Sequence, residues 1–263
     1  MRVDNERLAA PQVLGYHEYV DRPISRGPRV AFFGGSFDPP HLGHIAVALA
    51  AQQALALDTV LFAPVGAQPL KPQGSAVSYA HRLAMTRLAI SAHPGFAVSL
   101  ADAPKPSAGP NYTVETLLRL RAELPSEGTL FCLMGADSFA ALRHWHRAAE
   151  IPFIAQLIVA SRPGQQLNDL SFALPDGLKT TAQPDSIETH SGIELQRYLL
   201  SNCESNQTPF YLLPGLQIDI SASDIREQIS GGFEAKTRER EFLPVPVSEY
   251  ILAHGLYHSF AAT

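Results

Sequence analysis

Gly34-Gly35-Ser36-Phe37-Asp38-Pro39-Pro40-His41-Leu42-Gly43-His44 is the stretch on which the reading of this chain turns. It follows the apolar run Val30-Ala31-Phe32-Phe33 and precedes the alanine-rich Ile45-Ala46-Val47-Ala48-Leu49-Ala50-Ala51. That order reads as buried strand, glycine turn and helix. His41 and His44 lie three positions apart at the expected helix start, so both project from one side of its first turn. A helix start also presents unpaired N–H groups and the positive end of the macrodipole, which attract phosphate. Gly34 and Gly35 let a ligand approach the backbone closely. The chemistry suggested is the handling of a nucleotide phosphate. Two histidines at this spacing could share a metal, but no third ligand is evident nearby and Asp38 would have to swing in. A tight turn with incidental histidines is the other alternative. It leaves the coincidence of glycines, Asp38-Pro39-Pro40 and both histidines unexplained.

The alternation continues outward from this turn. Strands are expected at 30–33, 59–63, 96–100, 130–134 and about 156–160, with a last one at 210–213. Helices are expected at about 41–56, at 79–92, and from Asn111 or Thr113 to Pro125. On the second helix Leu83, Ala84, Leu88 and Ile90 form a loose stripe. On the third, Val114, Leu117, Leu118, Arg121 and Leu124 fall at helical spacing. This rhythm implies an α/β fold: a doubly wound, Rossmann-like, mostly parallel sheet with helices on both faces. Ligands of such sheets sit beyond the carboxyl ends of the strands. That rule draws the 34–44 turn, the 64–71 loop and Gly135-Ala136-Asp137 around one crevice. Residues 1–28 read as a loosely ordered extension, and 29–263 as one domain. Within that domain, 164–207 reads as a variable insertion with one short helix at 193–200, and 221–258 as a helical C-terminal part.

Composition narrows the class without naming a function. The chain has 263 residues, 46% hydrophobic and 17% charged, enough for one substantial core. A formal net charge of −5 gives no sign of non-specific nucleic-acid binding, so an anionic ligand must be met by local positive groups. Cys132 sits in an apolar run and reads as a buried thiol in a reducing compartment, and neither it nor Cys203 belongs to a Cys-x-x-Cys. No apolar run approaches the ~20 residues of a membrane span, and the N-terminus lacks the apolar core of a signal peptide. The expected location is the cytoplasm, with no membrane partner.

Ile220-Ser221-Ala222-Ser223-Asp224-Ile225-Arg226 forms a second constellation. Ser221 followed three residues later by Asp224 resembles a capping box and predicts a helix running to Gly231-Gly232. Alone, it reads as a capped helix with a solvated Arg226, or as another helix start aimed at phosphate, with hydroxyls and a guanidinium added. Lys71, on the loop at the crevice, is either a phosphate contact or a solvated cation. Trp145, the single tryptophan, is either partly packed or an aromatic face for a flat ring.

With both constellations in view, the chain resembles the nucleotidyltransferase superfamily that carries a His-x-Gly-His signature. Within it, the chain is similar to the bacterial nicotinate-nucleotide adenylyltransferases. The similarity runs from about residue 30 to 257. Its blocks are Gly-Gly-Ser-Phe-Asp-Pro-Pro-His at 34–41, Asn-Tyr-Thr at 111–113, Met-Gly-Ala-Asp-Ser at 134–138 and Trp145. Ser-Arg-Pro-Gly follows at 161–164, Ile-Ser-Ala-Ser-Asp-Ile-Arg at 220–226, and Tyr-Ile…Leu-Tyr closes at 250–257.

The resemblance implies that ATP and nicotinate mononucleotide are the substrates, and deamido-NAD and pyrophosphate the products. His41 and His44 are the implied catalytic residues, contacting the ATP phosphates. Gly34, Gly35, Ser36, Phe37, Lys71, Ser221, Ser223 and Arg226 complete the implied ATP site. The implied mononucleotide site comprises Ser36, Phe37, Thr113, Gly135, Asp137, Trp145, His146 and Arg162. There Trp145 stacks on the pyridine ring, backbone N–H groups around Thr113 and His146 receive its carboxylate, and Asp137 lies near a ribose. Mg²⁺ is the implied cofactor, held mainly by the ATP phosphates and not by protein ligands. Leu70 stands where many relatives have histidine, and His146 where tyrosine is frequent. Alternatives are the same chemistry on nicotinamide mononucleotide, a sibling such as phosphopantetheine adenylyltransferase, and a non-catalytic nucleotide-binding sensor. Homo-oligomerisation is left open.

Overall fold

The computed structural model describes residues 27–70, 74–106, 109–161, 170–190, 192–216, 221–230 and 242–258. Strand β1 (Arg29–Gly35) runs parallel to β2 (Thr59–Pro64) on one side. On its other side it is parallel to β4 (Thr129–Gly135). β3 (Phe96–Val98) extends the sheet beyond β2, and β5 (Gln156–Ala160) and β9 (Gln207–Leu213) extend it beyond β4, all parallel. The order β3-β2-β1-β4-β5-β9 reverses its winding between β1 and β4. A sheet that reverses there opens a crevice at the carboxyl ends of those two strands. The doubly wound, mostly parallel fold expected from the sequence is the one observed.

Each central strand feeds two cores. Val30 and Phe32 of β1 pack with Val114, Leu117 and Leu120 of α3 (Thr113–Glu123). Ala31 and Phe33 face the other way, towards Ile45, Ala48 and Ala51 of α1 (Leu42–Leu55) and Met85 of α2 (Tyr79–Ile90). β4 divides in the same manner, with Leu130, Cys132 and Met134 on the first side and Phe131 and Leu133 on the second. Strands covered on both faces are apolar throughout, which is why these runs lack a polar alternation.

Two expectations are corrected. Residues 193–200 do not form a helix; they lie in β8 (Ile193–Ser201), antiparallel to β9. Tyr198 and Leu200 pack in one core and Leu195 in the other, so the run has the period of a strand. The separation of Leu195 from Tyr198 imitated a helical step. β8 also pairs antiparallel with β6 (Lys179–Thr180) and β7 (Ser186–His190), so the insertion extends the sheet itself. The second correction concerns α2, whose buried residues are Arg82, Met85, Thr86, Ala89 and Ile90. Leu83, Ala84 and Leu88 are only partly covered. An arginine and a threonine on the inner face hid the true stripe.

Short elements escaped the sequence reading: α4 (Ala136–Ala140), α5 (Ile151–Ile154) and α6 (Leu170–Ala173) are each five residues or fewer. The C-terminal part carries α7 (Ala222–Ser230) and α8 (Val245–Ala253). The expected extension falls almost wholly at 1–26, outside the described residues, as do Lys71 and Arg162.

Candidate active site

Above the β1–β4 reversal lies a cleft of about 890 Å³. Its lining brings together Gly34 and Gly35 from the end of β1, Ser36, Phe37 and His41 from the turn after it, His44 from the first turn of α1, and Ser221, Ser223 and Arg226 from α7 and its cap. Thr113, Gly135, Asp137, Trp145 and His146 line it as well. Residues spread over almost the whole described chain thus meet at one place.

The turn after β1 is shaped by a buried aromatic residue. Phe37 adopts a left-handed conformation (φ 48°) and is 1% exposed. Its ring meets Phe33 edge-on at 5.6 Å and His44 at 5.0 Å. The side chain therefore plugs the core, and what it leaves to the cleft is backbone. A Cβ on Gly34 would come within 2.7 Å of the Phe32 ring, so any side chain there would have to displace that buried ring.

His41 caps α1, and its N–H donates to His44 Nδ1 at 3.2 Å. That bond fixes the tautomer of a neutral His44: Nδ1 accepts, so the ring proton sits on Nε2. The two rings lie 3.8 Å apart. One donor expected to be free for an anion is not, since the Leu42 N–H donates to the Phe242 carbonyl at 2.9 Å. The C-terminal segment thus satisfies part of the α1 start.

The second jaw is also partly engaged. Ser221 Oγ accepts from the N–H groups of Ser223 (3.1 Å) and Asp224 (3.4 Å), so this hydroxyl is the cap of α7, as the sequence predicts. Arg226 is not simply solvated: it donates to the Asp38 carbonyl at 2.7 Å and to Ser223 Oγ at 3.1 Å. A guanidinium carries five N–H donors, so these two bonds leave capacity for a ligand while tying α7 to the turn after β1.

At the other end of the cleft, the Tyr112 and His146 rings lie 4.4 Å apart, which joins the Thr113 and Trp145 loops. Lys105 Nζ lies 5.8 Å from the Tyr112 ring and pairs with Glu115 at 2.7 Å. Trp145 is half-buried and packs against the α3 core, as the first of its two readings has it, while it also lines the cleft. Asn111 is 4% exposed and pins two loops: its Oδ1 accepts from the Ala67 N–H at 3.0 Å and its Nδ2 donates to Ala103 O at 2.9 Å.

Two residues at the cleft, Asp102 and Gln68, were not singled out by sequence, whereas Asp38 was read as part of a turn and Cys132 as a buried thiol. Asp102, just beyond β3, is 3% exposed and accepts from Thr116 Oγ1. Burial pushes its carboxyl above the usual range, against the pull of Thr116, Arg119 and Lys105. Its position past a strand end is the signal that could have found it. Gln68 meets Ser36 Oγ at 3.1 Å. Asp38, 4% exposed, accepts from the Ala76 N–H and from the Tyr257 hydroxyl at 2.7 Å. Cys132 is buried and free, its thiol pushed up to about 12 by burial.

A doubly wound sheet with a glycine turn, paired imidazoles and a serine–arginine helix start around its crevice defines a nucleotide-handling α/β protein. The family described as cytidylyltransferase-like matches residues 32–228. A relative from Thermomicrobium roseum, named "Probable nicotinate-nucleotide adenylyltransferase", is 36% identical over 234 residues, covering 89% of this chain and 94% of its own. One of the same name from Gloeobacter violaceus is 33% identical, covering 88% and 97%. The chain belongs to the cytidylyltransferase-like family and, within it, to the nicotinate-nucleotide adenylyltransferases. Among solved structures, Plasmodium falciparum nicotinic acid mononucleotide adenylyltransferase complexed with NaAD shares the fold. That match has a TM-score of 0.62 at 15% identity, covering 88% of this chain and 97% of that one.

The Asp38–Tyr257 bond makes a pH prediction. Burial and the Asp38 charge push the Tyr257 phenol well above its ordinary value of 10.0. The fold favours the neutral phenol, so its contribution is complete below about pH 10 and is lost progressively above it. Urea unfolding of the wild type should therefore lose stability between about pH 9.5 and 11 more steeply than Tyr257→Phe. Parallel slopes would show that the bond carries no such coupling.

Proposed function

We propose that the protein transfers the adenylyl group of ATP to nicotinate mononucleotide, releasing pyrophosphate and forming deamido-NAD. The observation that carries this reading is the cleft itself. It gathers a phosphate-type turn and a second cationic jaw at one end, and a half-buried indole beside the tilted ring pair of Tyr112 and His146 at the other. The first end suits a triphosphate, and the second suits a flat, anionic ring.

In the reaction, an oxygen of the mononucleotide 5′-phosphate attacks the α-phosphorus of ATP. The bond to the bridging oxygen breaks and its electron pair leaves with pyrophosphate. The nucleophile is already an anion, so no general base is required, and catalysis is positioning plus stabilisation of developing charge. His44, with its proton held on Nε2, acts as a donor to the phosphates, and the His41 ring lies tilted beside it. Arg226 and Ser223 face the same phosphates from α7, with Gly34, Gly35, Ser36 and Phe37 offering backbone. Lys71 belongs to the same proposal through its loop. Trp145 stacks on the pyridine ring, Asp137 lies by a ribose, and N–H groups around Thr113 and His146 receive the carboxylate, with Gly135 and Arg162 completing that side.

Among the described residues no group of three or more His, Cys, Asp or Glu converges. Mg²⁺ brought in with ATP would neutralise the departing pyrophosphate. No helix among the described residues is long and apolar enough to cross a membrane. Nicotinamide mononucleotide is the second acceptor to test, because His146 stands at the carboxylate end.

Incubation with ATP, Mg²⁺ and either mononucleotide should release pyrophosphate faster with the acid. Absence of release with every acceptor would overturn the reading; faster release with the amide would reverse the substrate. His44→Ala should lower kcat by roughly two orders of magnitude, as losing a transition-state donor does. His44→Asn, which keeps an acceptor for the His41 N–H, should lose kcat equally but retain more stability. Equal Tm values for the two variants would discard the cap. Trp145→Ala should mainly raise the KM for the mononucleotide; an effect confined to the KM of ATP would remove the stacking role.

A further inference from the structure

Behind the cleft, one buried cation touches its walls without lining it. Arg82 of α2 is 2% exposed. Its Nη1 donates to the Ser36 carbonyl at 2.7 Å and its Nη2 to the Val65 carbonyl at 2.8 Å. Ser36 and Val65 are the first residues beyond β1 and β2, and both line the cleft. Nε has no protein partner among the described residues, and the Tyr79 ring lies 5.5 Å from the guanidinium. Burial favours loss of the charge, and the Asp38 carboxylate is the chief influence that opposes it.

Burying a guanidinium costs desolvation free energy that an apolar side chain of similar size would not incur. Packing alone therefore does not explain an arginine on the inner face of α2. What it does, and an apolar residue could not, is grip two carbonyl oxygens at once. A trans peptide unit is planar, with C=O and N–H pointing oppositely. Drawing the Ser36 carbonyl towards Arg82 therefore turns the Phe37 N–H the other way.

We propose that Arg82 is a positioning residue: through the Ser36 carbonyl it presents the Phe37 N–H to a ligand phosphate, and through Val65 it sets the spacing of the two loops. The inference rests on the adenylyl-transfer reading for the identity of the ligand, but not for the presence of a phosphate.

The full chain carrying Arg82→Gln or Arg82→Lys is compared with wild type, and Tyr79→Phe serves as a packing control beside the same guanidinium. Circular dichroism and Tm establish folding. Calorimetric titration with ATP and with inorganic tripolyphosphate measures binding, and pyrophosphate release gives kcat. Folded Arg82→Gln should bind both ligands about tenfold more weakly and lose about 10–100-fold in kcat. Arg82→Lys, which keeps a cationic donor, should bind within about threefold of wild type, and Tyr79→Phe should match wild type. Wild-type affinity and kcat in folded Arg82→Gln overturn the proposal, as does an equal loss in Tyr79→Phe. Should Arg82→Gln not fold, the amide resonance of Phe37 in the wild type decides. It should move downfield as tripolyphosphate is added, and an unmoved resonance overturns the proposal. A wild type that binds tripolyphosphate but transfers to no acceptor overturns the reaction and leaves this test intact.

Discussion

A carboxylate 4% exposed holds the cleft in shape. Asp38 receives the Ala76 N–H and the Tyr257 hydroxyl on its side chain, while its carbonyl receives Arg226. A buried carboxylate is tolerated only when its lone pairs are met, because its desolvation costs several kcal/mol. Meeting them draws the loop before α2 and the segment after α8 onto one point, and the backbone carbonyl of the same residue brings Arg226 of α7 there. Residues 38, 76, 226 and 257 are distant in sequence, and this one residue, through its side chain and its carbonyl, fixes where they converge. The cleft walls are therefore a consequence of satisfying Asp38 as much as of the sheet beneath.

The adjoining Phe37 explains how the same turn can be both rigid and open to a ligand. Its ring is locked among Phe33, Phe62 and His44, and its backbone is left-handed. A non-glycine residue in that region costs free energy and persists where packing over-determines it. Here the packing is an aromatic cluster on the core side of the sheet end. The strand end is thus anchored by its side chains, and the backbone is what remains exposed to the cleft.

How far the sequence carried follows from what kind of signal each feature leaves. The buried parallel strands announce themselves as apolar runs, and the rule that ligands lie beyond strand ends then locates the cleft before any coordinates. Ser221 was legible as a cap because capping is local. Asp38 was legible only as a turn residue, since its partners Ala76 and Tyr257 come from remote segments. Arg82 drew no reading from the sequence because hydrophobic periodicity treats every charge as outward-facing, and its compensation by Ser36 and Val65 carbonyls is tertiary. β8 failed for a related reason: Leu195 and Tyr198 look like one helical stripe until their opposite cores are seen. Lys71 and Arg162 lie outside the described residues and add nothing to this comparison.

The two cores divide the proposed chemistry. Ile45 and Ala48 of α1, Met85 of α2, Ile225 and Ile229 of α7, and Val247 and Ile251 of α8 share one core. Thus the paired imidazoles, Arg226 and the Asp38 network all rest on one face of the sheet. Val114 and Leu117 of α3, Phe139, Leu142 and the packed flank of Trp145 belong to the other core. The proposed phosphate grip and acceptor pocket are therefore supported from opposite faces and meet only over the β1–β4 edge. Close packing transmits a substitution mainly to its own neighbours, so changes around Trp145 and His146 can alter the acceptor while leaving the phosphate jaw in register. The converse does not hold to the same degree. Ser36 bonds Gln68, and Arg82 ties Ser36 to Val65, so a shift in the phosphate turn reaches the loop that Asn111 joins to the acceptor side. Specificity is the separable half of this architecture, and phosphate positioning is the half on which both depend.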